Sequence, residues 1–229
     1  MSILNLINQL LKQRQDSINR MLHKESSNIE VLLMFLLSLT MFAAFGFLIG
    51  ISHSVLQAIS SAIKLPLLFY ITSLICFPTL YFFLSFLGSK QSTRQLFSFI
   101  VLCNTFIAMV LAAFAPVSFF FLITGYSYNL FKFINTIIFS VAGFTGIYLF
   151  YREIRKIIRD IAVENDVLKT QKGLLFLRLW AIMFAFIGLQ LSFTLSPYFG
   201  IPGQKFMFFT SEKASFFSDI FGTISRLQP

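Results

Sequence analysis

Five blocks of roughly twenty residues, each almost free of charge, constrain this chain more than any other feature. A bilayer's hydrocarbon core is about 30 Å thick and a helix rises about 1.5 Å per residue, so about 20 consecutive apolar residues make one crossing. The blocks run from about Val31 to Ser52, Leu65 to Leu87, Leu96 to Ile123, Leu130 to Tyr151 and Leu174 to Ser196. They predict an all-α, polytopic membrane helix bundle: about five transmembrane helices plus amphipathic interfacial helices. Composition agrees, with 57% hydrophobic and only 12% charged residues, where a soluble domain carries about 25% charged. An ordinary water-soluble enzyme is excluded, and so is disorder, which needs low hydrophobicity. Three parts are expected: an N-terminal amphipathic segment (1–29), the five-helix transmembrane domain (30–196) and a Phe-rich tail (197–229). The spans leave no room for a separate soluble domain.

Prolines punctuate the spans. Pro66 is expected in the first turn of the second span, where its missing N–H costs nothing. Pro78 should kink the same span, and Pro116 should break the far end of the third, leaving 117–124 as a short separate segment. No secretory signal peptide is expected, because the first apolar block is too long for a signal h-region.

Lysine and arginine set the orientation. The N-terminal segment, the loop after span two and the stretch between spans four and five hold 13 of the 18: Lys12, Arg14, Arg20, Lys24, Lys90, Arg94, Arg152, Arg155, Lys156, Arg159, Lys169, Lys172 and Arg178. The opposite side holds five: Lys64, Lys132, Lys205, Lys213 and Arg226. The bias predicts a cytoplasmic N-terminus and an extracytoplasmic C-terminus. The net charge of +9 is explained by this flanking role, so nucleic acid is not expected as a partner. Lys64 and Arg178 are expected near span ends, where they can snorkel.

Two amphipathic elements lie near the spans. Residues 2–24 place Ile3, Ile7, Leu10, Leu11, Ile18, Met21 and Leu22 at helical steps opposite Lys12, Arg14 and Arg20. That helix rests either on the membrane surface or on the protein's own loops. In 151–166, Ile154, Ile157, Ile158 and Ile161 share a face opposite Arg155, Lys156 and Arg159. This reads as span four continuing beyond the membrane as a docking helix for anionic lipid or a partner protein. The C-terminal tail adds Phe216, Phe217, Ile220, Phe221 and Ile224 on one helical face. Those rings need cover from lipid, the bundle mouth or a partner.

No catalytic constellation is visible. Intramembrane aspartate pairs, a Ser–His pair and the H-E-x-x-H helix are all missing. His23 and His53 stand alone near membrane edges. Cys76 and Cys103 lie inside apolar blocks and read as small buried hydrophobes, with neither a disulfide nor a metal implied. No cofactor is expected. The polar groups within the spans are mild: Asn104, Thr105, Asn135, Thr136, Ser140 and Gln190. They suit interhelical hydrogen bonds; Asn104, Asn135 and Gln190 could instead line a path. Gly46 and Gly50 form a G-x-x-x-G, and Gly143 and Gly146 a weaker notch. Close helix packing explains both, within the bundle or across a homodimer face.

Val167-Leu168-Lys169-Thr170 follows an amphipathic helix, as the L-K-K-T element of the WH2 actin-binding pattern does. One basic position is missing, and actin is not expected as a partner. The stretches Leu56–Tyr81, Ala115–Phe121 and Ser196–Gln204 resemble a group of small bacterial membrane proteins found among cyanobacteria and Bacteroidetes-type genomes, some members of which carry a WH2 label. That resemblance implies a bacterial inner or thylakoid-type membrane. The five-span layout is also similar to Yip1-domain proteins, although their acidic-aromatic N-terminal motif is not evident here. Neither resemblance supplies catalytic residues.

The sequence thus favours a non-catalytic scaffold, anchor or assembly subunit of a larger membrane complex. It would bind membrane lipids and protein partners, with a homo-oligomer as the alternative assembly. The second expectation, from another class, is a channel or transporter subunit, since kinked helices often frame transport sites.

Overall fold

The computed structural model describes residues 7, 8, 10, 12–23, 27–124, 128–165, 167–199 and 206–209. Phe216, Phe217, Ile220, Phe221 and Ile224 lie outside the described residues. Among the described residues six helices follow in order: α1 (Arg14–His23), α2 (Asn28–Gly50), α3 (Val55–Phe86), α4 (Thr93–Ile123), α5 (Tyr128–Asn165) and α6 (Val167–Thr194). No strand occurs among the described residues. Helices α2 to α6 are each long and apolar enough to cross a membrane.

Serines start the first three long helices. The hydroxyl of Ser27 accepts from the Ile29 N–H at 3.4 Å and that of Ser54 from the Gln57 N–H at 3.2 Å. Ser92 and Gln95 form a reciprocal capping box before α4. Each fills a donor that a helix N-terminus leaves open. Helix α3 ends at Phe86 and is followed by Leu87 and by Gly88, whose φ of 88° lies in the left-handed region open to glycine. There the Ser89 N–H bonds to the Leu84 carbonyl at 2.9 Å and the Gly88 N–H to the Ser85 carbonyl at 3.0 Å, a Schellman stop.

The Ser54 cap corrects the second span. Helix α3 begins at Val55, so Pro66 lies well inside it and not in its first turn. The segment before Pro66 is helical because Gln57, Ser60, Ser61 and Lys64 form an inward polar stripe at i, i+3, i+4 and i+7, while Val55, Leu56, Ile59 and Ile63 stay exposed on the outside. Pro116 likewise does not break the third span. Helix α4 runs through it to Ile123, so 117–124 is no separate segment. A proline removes one N–H donor, but helix packing on both sides of it keeps the turn in place.

The spanning helices pack in the cyclic order α2, α3, α6, α5, α4, with α4 returning to α2. Helices α3 and α4 meet only sparsely, and α1 lies against α4. Successive spans alternate in direction. One end of the bundle therefore gathers α1, the α3–α4 loop and the α5–α6 junction, which carry the basic residues; it is called the basic end below. The opposite end gathers the α2–α3 and α4–α5 turns and the chain after α6.

Two apolar cores fill the bundle. The one nearer the basic end includes Met34, Leu80, Phe99, Phe150 and Trp180; the other includes Phe42, Phe45, Leu65, Leu111 and Phe131. Large apolar side chains also face outward, among them Leu74, Phe82, Phe144 and Ile182. A soluble domain would not leave so much apolar surface bare, whereas lipid favours it.

The N-terminal helix resolves one open alternative. Leu10, Ile18, Met21 and Leu22 are buried in the first core, so the described part of the segment rests on the protein's own helices. Helix α5 continues without a break from the span into its polar extension. At 38 residues it is about 57 Å long, well beyond one crossing.

Candidate functional site

A polar clasp deep at the end opposite the basic end is the most distinctive cluster. Lys64 on α3 is fully buried. This corrects the expectation that it snorkels from a span end: α3 starts ten residues earlier and turns Lys64 inward. Its Nζ donates to the backbone carbonyl of Phe208, and more loosely to that of Pro197 at 3.4 Å. The same ammonium lies 4.7 Å from the Phe208 ring centroid and 5.2 Å from that of Phe209. Both distances suit a cation–π contact.

One and two turns before Lys64, the stripe continues onto the same segment. Gln57 Nε2 donates to the Pro197 carbonyl at 2.6 Å, and Ser61 Oγ to the Tyr198 carbonyl at 2.5 Å. The chain after α6 is irregular, so its carbonyls have no helical partner. Irregular backbone is tolerated at membrane depth only where protein satisfies it, and the α3 stripe supplies those donors. Tyr198 and Phe199 are buried in the core beside Phe131. Burial pushes the Tyr198 phenol above its ordinary value. Sequence reasoning missed this clasp because its halves are more than 130 residues apart. The available signal was the i, i+3, i+4, i+7 spacing of Gln57, Ser60, Ser61 and Lys64.

The polar groups expected within the spans fall into separate pairs. Asn104 Nδ2 donates to Ser73 Oγ at 3.1 Å, tying α4 to α3. Asn135 accepts from Ser118 through Oδ1 and donates to the Phe131 carbonyl at 2.9 Å. Thr105 Oγ1 reaches the Met34 carbonyl at 3.2 Å and the Val101 carbonyl at 2.8 Å. Thr136 and Ser140 bond back to carbonyls of their own helix. Gln190 Oε1 is enclosed without a partner among the described residues. Asn104 and Asn135 therefore pair with different residues. The Ser73–Asn104 pair borders a cavity of about 30 Å³ lined also by Phe150, Trp180 and Phe184, room for one or two waters.

The glycines divide. A Cβ on Gly46 would strike the Ser61 carbonyl, and one on Gly50 would lie 2.6 Å from Ala58 Cα. The G-x-x-x-G therefore seats α2 on α3 within the chain. Gly146 receives the Ile107 side chain. Gly143 has nothing within 4 Å, so it takes no part in the notch expected of it.

The basic end is laced by ions. Glu153 is buried and joins Arg152 at 2.5 Å and Lys156 at 2.8 Å. Arg152 also reaches Gln15 at 3.4 Å, and Arg20 lies 3.7 Å from Glu30. Ile154, Ile157 and Ile158 are buried in the first core. The open apolar docking face expected of them is corrected: these side chains are taken up by the bundle's own core, with Ile158 against Gly173 of α6. Lys156 and Arg159 remain exposed and Arg155 half-exposed. Side chains at 161–170 lie outside the described set; the backbone of 167–170 opens α6.

Cys76 and Cys103 are buried and unbridged, as small core residues. The Cys76 carbonyl accepts from the Trp180 indole at 3.1 Å. His53 lies 3.3 Å from Ser54 Oγ. Among the described residues no three His, Cys, Asp or Glu side chains gather as metal ligands would.

Among the described residues these features define an all-helical architecture with five helices long and apolar enough to cross a membrane, the build of a multi-pass membrane protein. No protein family, curated protein or solved structure matches it.

Proposed function

We propose that the chain is a non-catalytic membrane subunit: a scaffold, anchor or assembly factor for a larger complex. The observation that carries this reading is how the polar side chains in the spans are used. Ser73 with Asn104, Ser118 with Asn135 and Thr105 with Met34 each join one helix to another. Such bonds build a fixed bundle. The helix-spanning rings of Phe150, Trp180 and Phe184 fill its middle, which supports a scaffold over a channel. The 13-to-5 charge bias supports a cytoplasmic basic end; a bacterial inner or thylakoid-type membrane is what the sequence resemblance implies. Partner proteins or anionic lipid would meet Arg155, Lys156 and Arg159 there.

Native mass spectrometry after mild-detergent extraction from the source membrane tests the proposal. A stoichiometric larger assembly is expected. A lone monomer, together with solute flux from liposomes holding the pure protein, would overturn it in favour of the transport reading.

A further inference from the structure

Four basic residues open the extension of α5, and the structure sorts them into two kinds. Arg152 and Lys156 share the buried Glu153 carboxylate. Arg155 and Arg159 have no ion-pair or hydrogen-bond partner among the described residues. They stand four positions apart on one helix, so they are neighbours, with Cβ atoms about 5–6 Å apart. Arg155 is half-exposed and Arg159 exposed. The Arg155 Nε is enclosed without an acceptor among the described residues. The described acids of the basic end do not compensate the pair. Glu30 lies 3.7 Å from Arg20, while Asp16 and Asp160 are exposed and join no ion pair among the described residues.

A contact between three helices sets the depth of this pair. A Cβ on Gly173 would lie 2.9 Å from Ile158 Cγ2 and 3.2 Å from Leu87 Cδ1. Ile158 is therefore level with the residue that caps the end of α3 and with the residue just before the apolar block of α6. Arg155 and Arg159 lie within one turn of Ile158, about 5 Å or less along the axis. There the apolar spans give way to polar chain, which is the depth of lipid headgroups.

From these observations we infer that Arg155 and Arg159 together hold the phosphate of an anionic phospholipid in the leaflet at the basic end. This deepens the reading of the basic end given above; it rests on that reading for the membrane, not for the larger assembly. Charge complementarity decides the occupant. Each guanidinium fork matches phosphate oxygens, and two neighbouring forks without an internal counter-charge can flank one phosphate. A zwitterionic lipid also carries a phosphate, but its own ammonium competes with the arginines, so an anionic headgroup is preferred. An acidic segment of a soluble partner offers carboxylates, yet it would have to enter the headgroup layer to reach Arg155.

The test is native mass spectrometry of the full chain in detergent with added phosphatidylglycerol or phosphatidylcholine of identical acyl chains. Tighter phosphatidylglycerol adducts are expected. Arg155→Gln and Arg159→Gln should each reduce that preference about fivefold, the equivalent of one basic side chain near a membrane surface. Lys90→Gln, exposed at the same end of the bundle but on the α3–α4 loop, should leave it unchanged. Circular dichroism checks the fold; if Arg155→Gln unfolds the chain, Arg159→Gln alone decides. Equal binding of the two lipids, or a preference that survives the arginine changes, would overturn the assignment. An equal loss with Lys90→Gln would also overturn it, because the preference would then belong to the general field of the basic end. Loss of a copurifying acidic protein in the arginine variants, with lipid preference absent, would give the pair to a protein partner instead. A lone monomer that keeps the arginine-dependent preference would support this site while removing the scaffold reading.

Discussion

The Lys64 ammonium donates to the backbone carbonyl of Phe208 and lies 4.7 Å from the centroid of the same residue's ring. One residue thus supplies a dipole and a π face to a cation buried 144 positions away in sequence. A hydrogen bond to a charged group contributes about 1.5–3 kcal/mol, and losing it leaves a buried charge bare. Truncation after Lys205 should therefore destabilise the bundle by about 2 kcal/mol. The same truncation should cost clearly less in a Lys64→Met background, where no charge is stranded. Thermal unfolding in detergent of the four variants, treated as a double-mutant cycle, measures the coupling. Additive effects would mean that the clasp contributes nothing.

Gly46 on α2 and Gly143 on α5 sit in opposite surroundings. A Cβ on Gly46 meets backbone, which cannot yield as a side chain end can. Gly46→Ala and Gly50→Ala should each destabilise by about 1–3 kcal/mol, the usual range for overpacking. Gly143→Ala meets open space and should stabilise by about 0.5–1 kcal/mol through the helix entropy that glycine forfeits. Thermal unfolding gives the signs, and light scattering checks the oligomer. A change of oligomeric state with stability intact would place Gly46 and Gly50 at an interface between copies.

What sequence could show followed from how local each signal is. Five spans, their order and their direction emerge from apolar length, which needs no tertiary information. Serine caps and the i, i+3, i+4, i+7 stripe of Gln57, Ser60, Ser61 and Lys64 were also present in the sequence. The polar content of that stripe disguised α3's first turns as loop, and Pro66 then looked like a helix start. The partners of Lys64 could not be foreseen, because Pro197 and Phe208 contribute backbone carbonyls that every residue carries. Nor did periodicity distinguish a free apolar face from a covered one. The same isoleucine spacing that suggests docking at Ile154, Ile157 and Ile158 serves the core of the bundle.

Asn104 and Ser73 tie α4 to α3, helices that otherwise meet only sparsely. Interhelical bonds of this kind contribute about 0.6–2 kcal/mol. Asn104→Leu should lower stability by that amount, and Ser73→Ala should add little more once the asparagine is gone, since the pair is one unit. Flux of protons or small ions from liposomes should be unchanged. Flux that appears or disappears with Asn104→Leu would favour a transport path through the small cavity beside it.

The α5 extension allows its two faces to be tested separately. Ile157 and Ile158 are only 3% and 2% exposed. A glutamate at either site would place a charge where a packed side chain stood, with a cost above about 4 kcal/mol. Ile157→Glu with Ile158→Glu should therefore unfold the basic end, seen as lost helical circular dichroism and rapid proteolysis, before any question of partner release arises. Arg159→Glu, on an exposed position, should leave the fold and its unfolding temperature close to wild type, because surface charges contribute little to stability. It should nonetheless weaken sedimentation with anionic vesicles, and the effect should fade as salt screens the charge. A soluble, well-folded double glutamate variant would show that the isoleucine face is open after all. Unchanged vesicle binding by Arg159→Glu would remove this arginine from the docking surface.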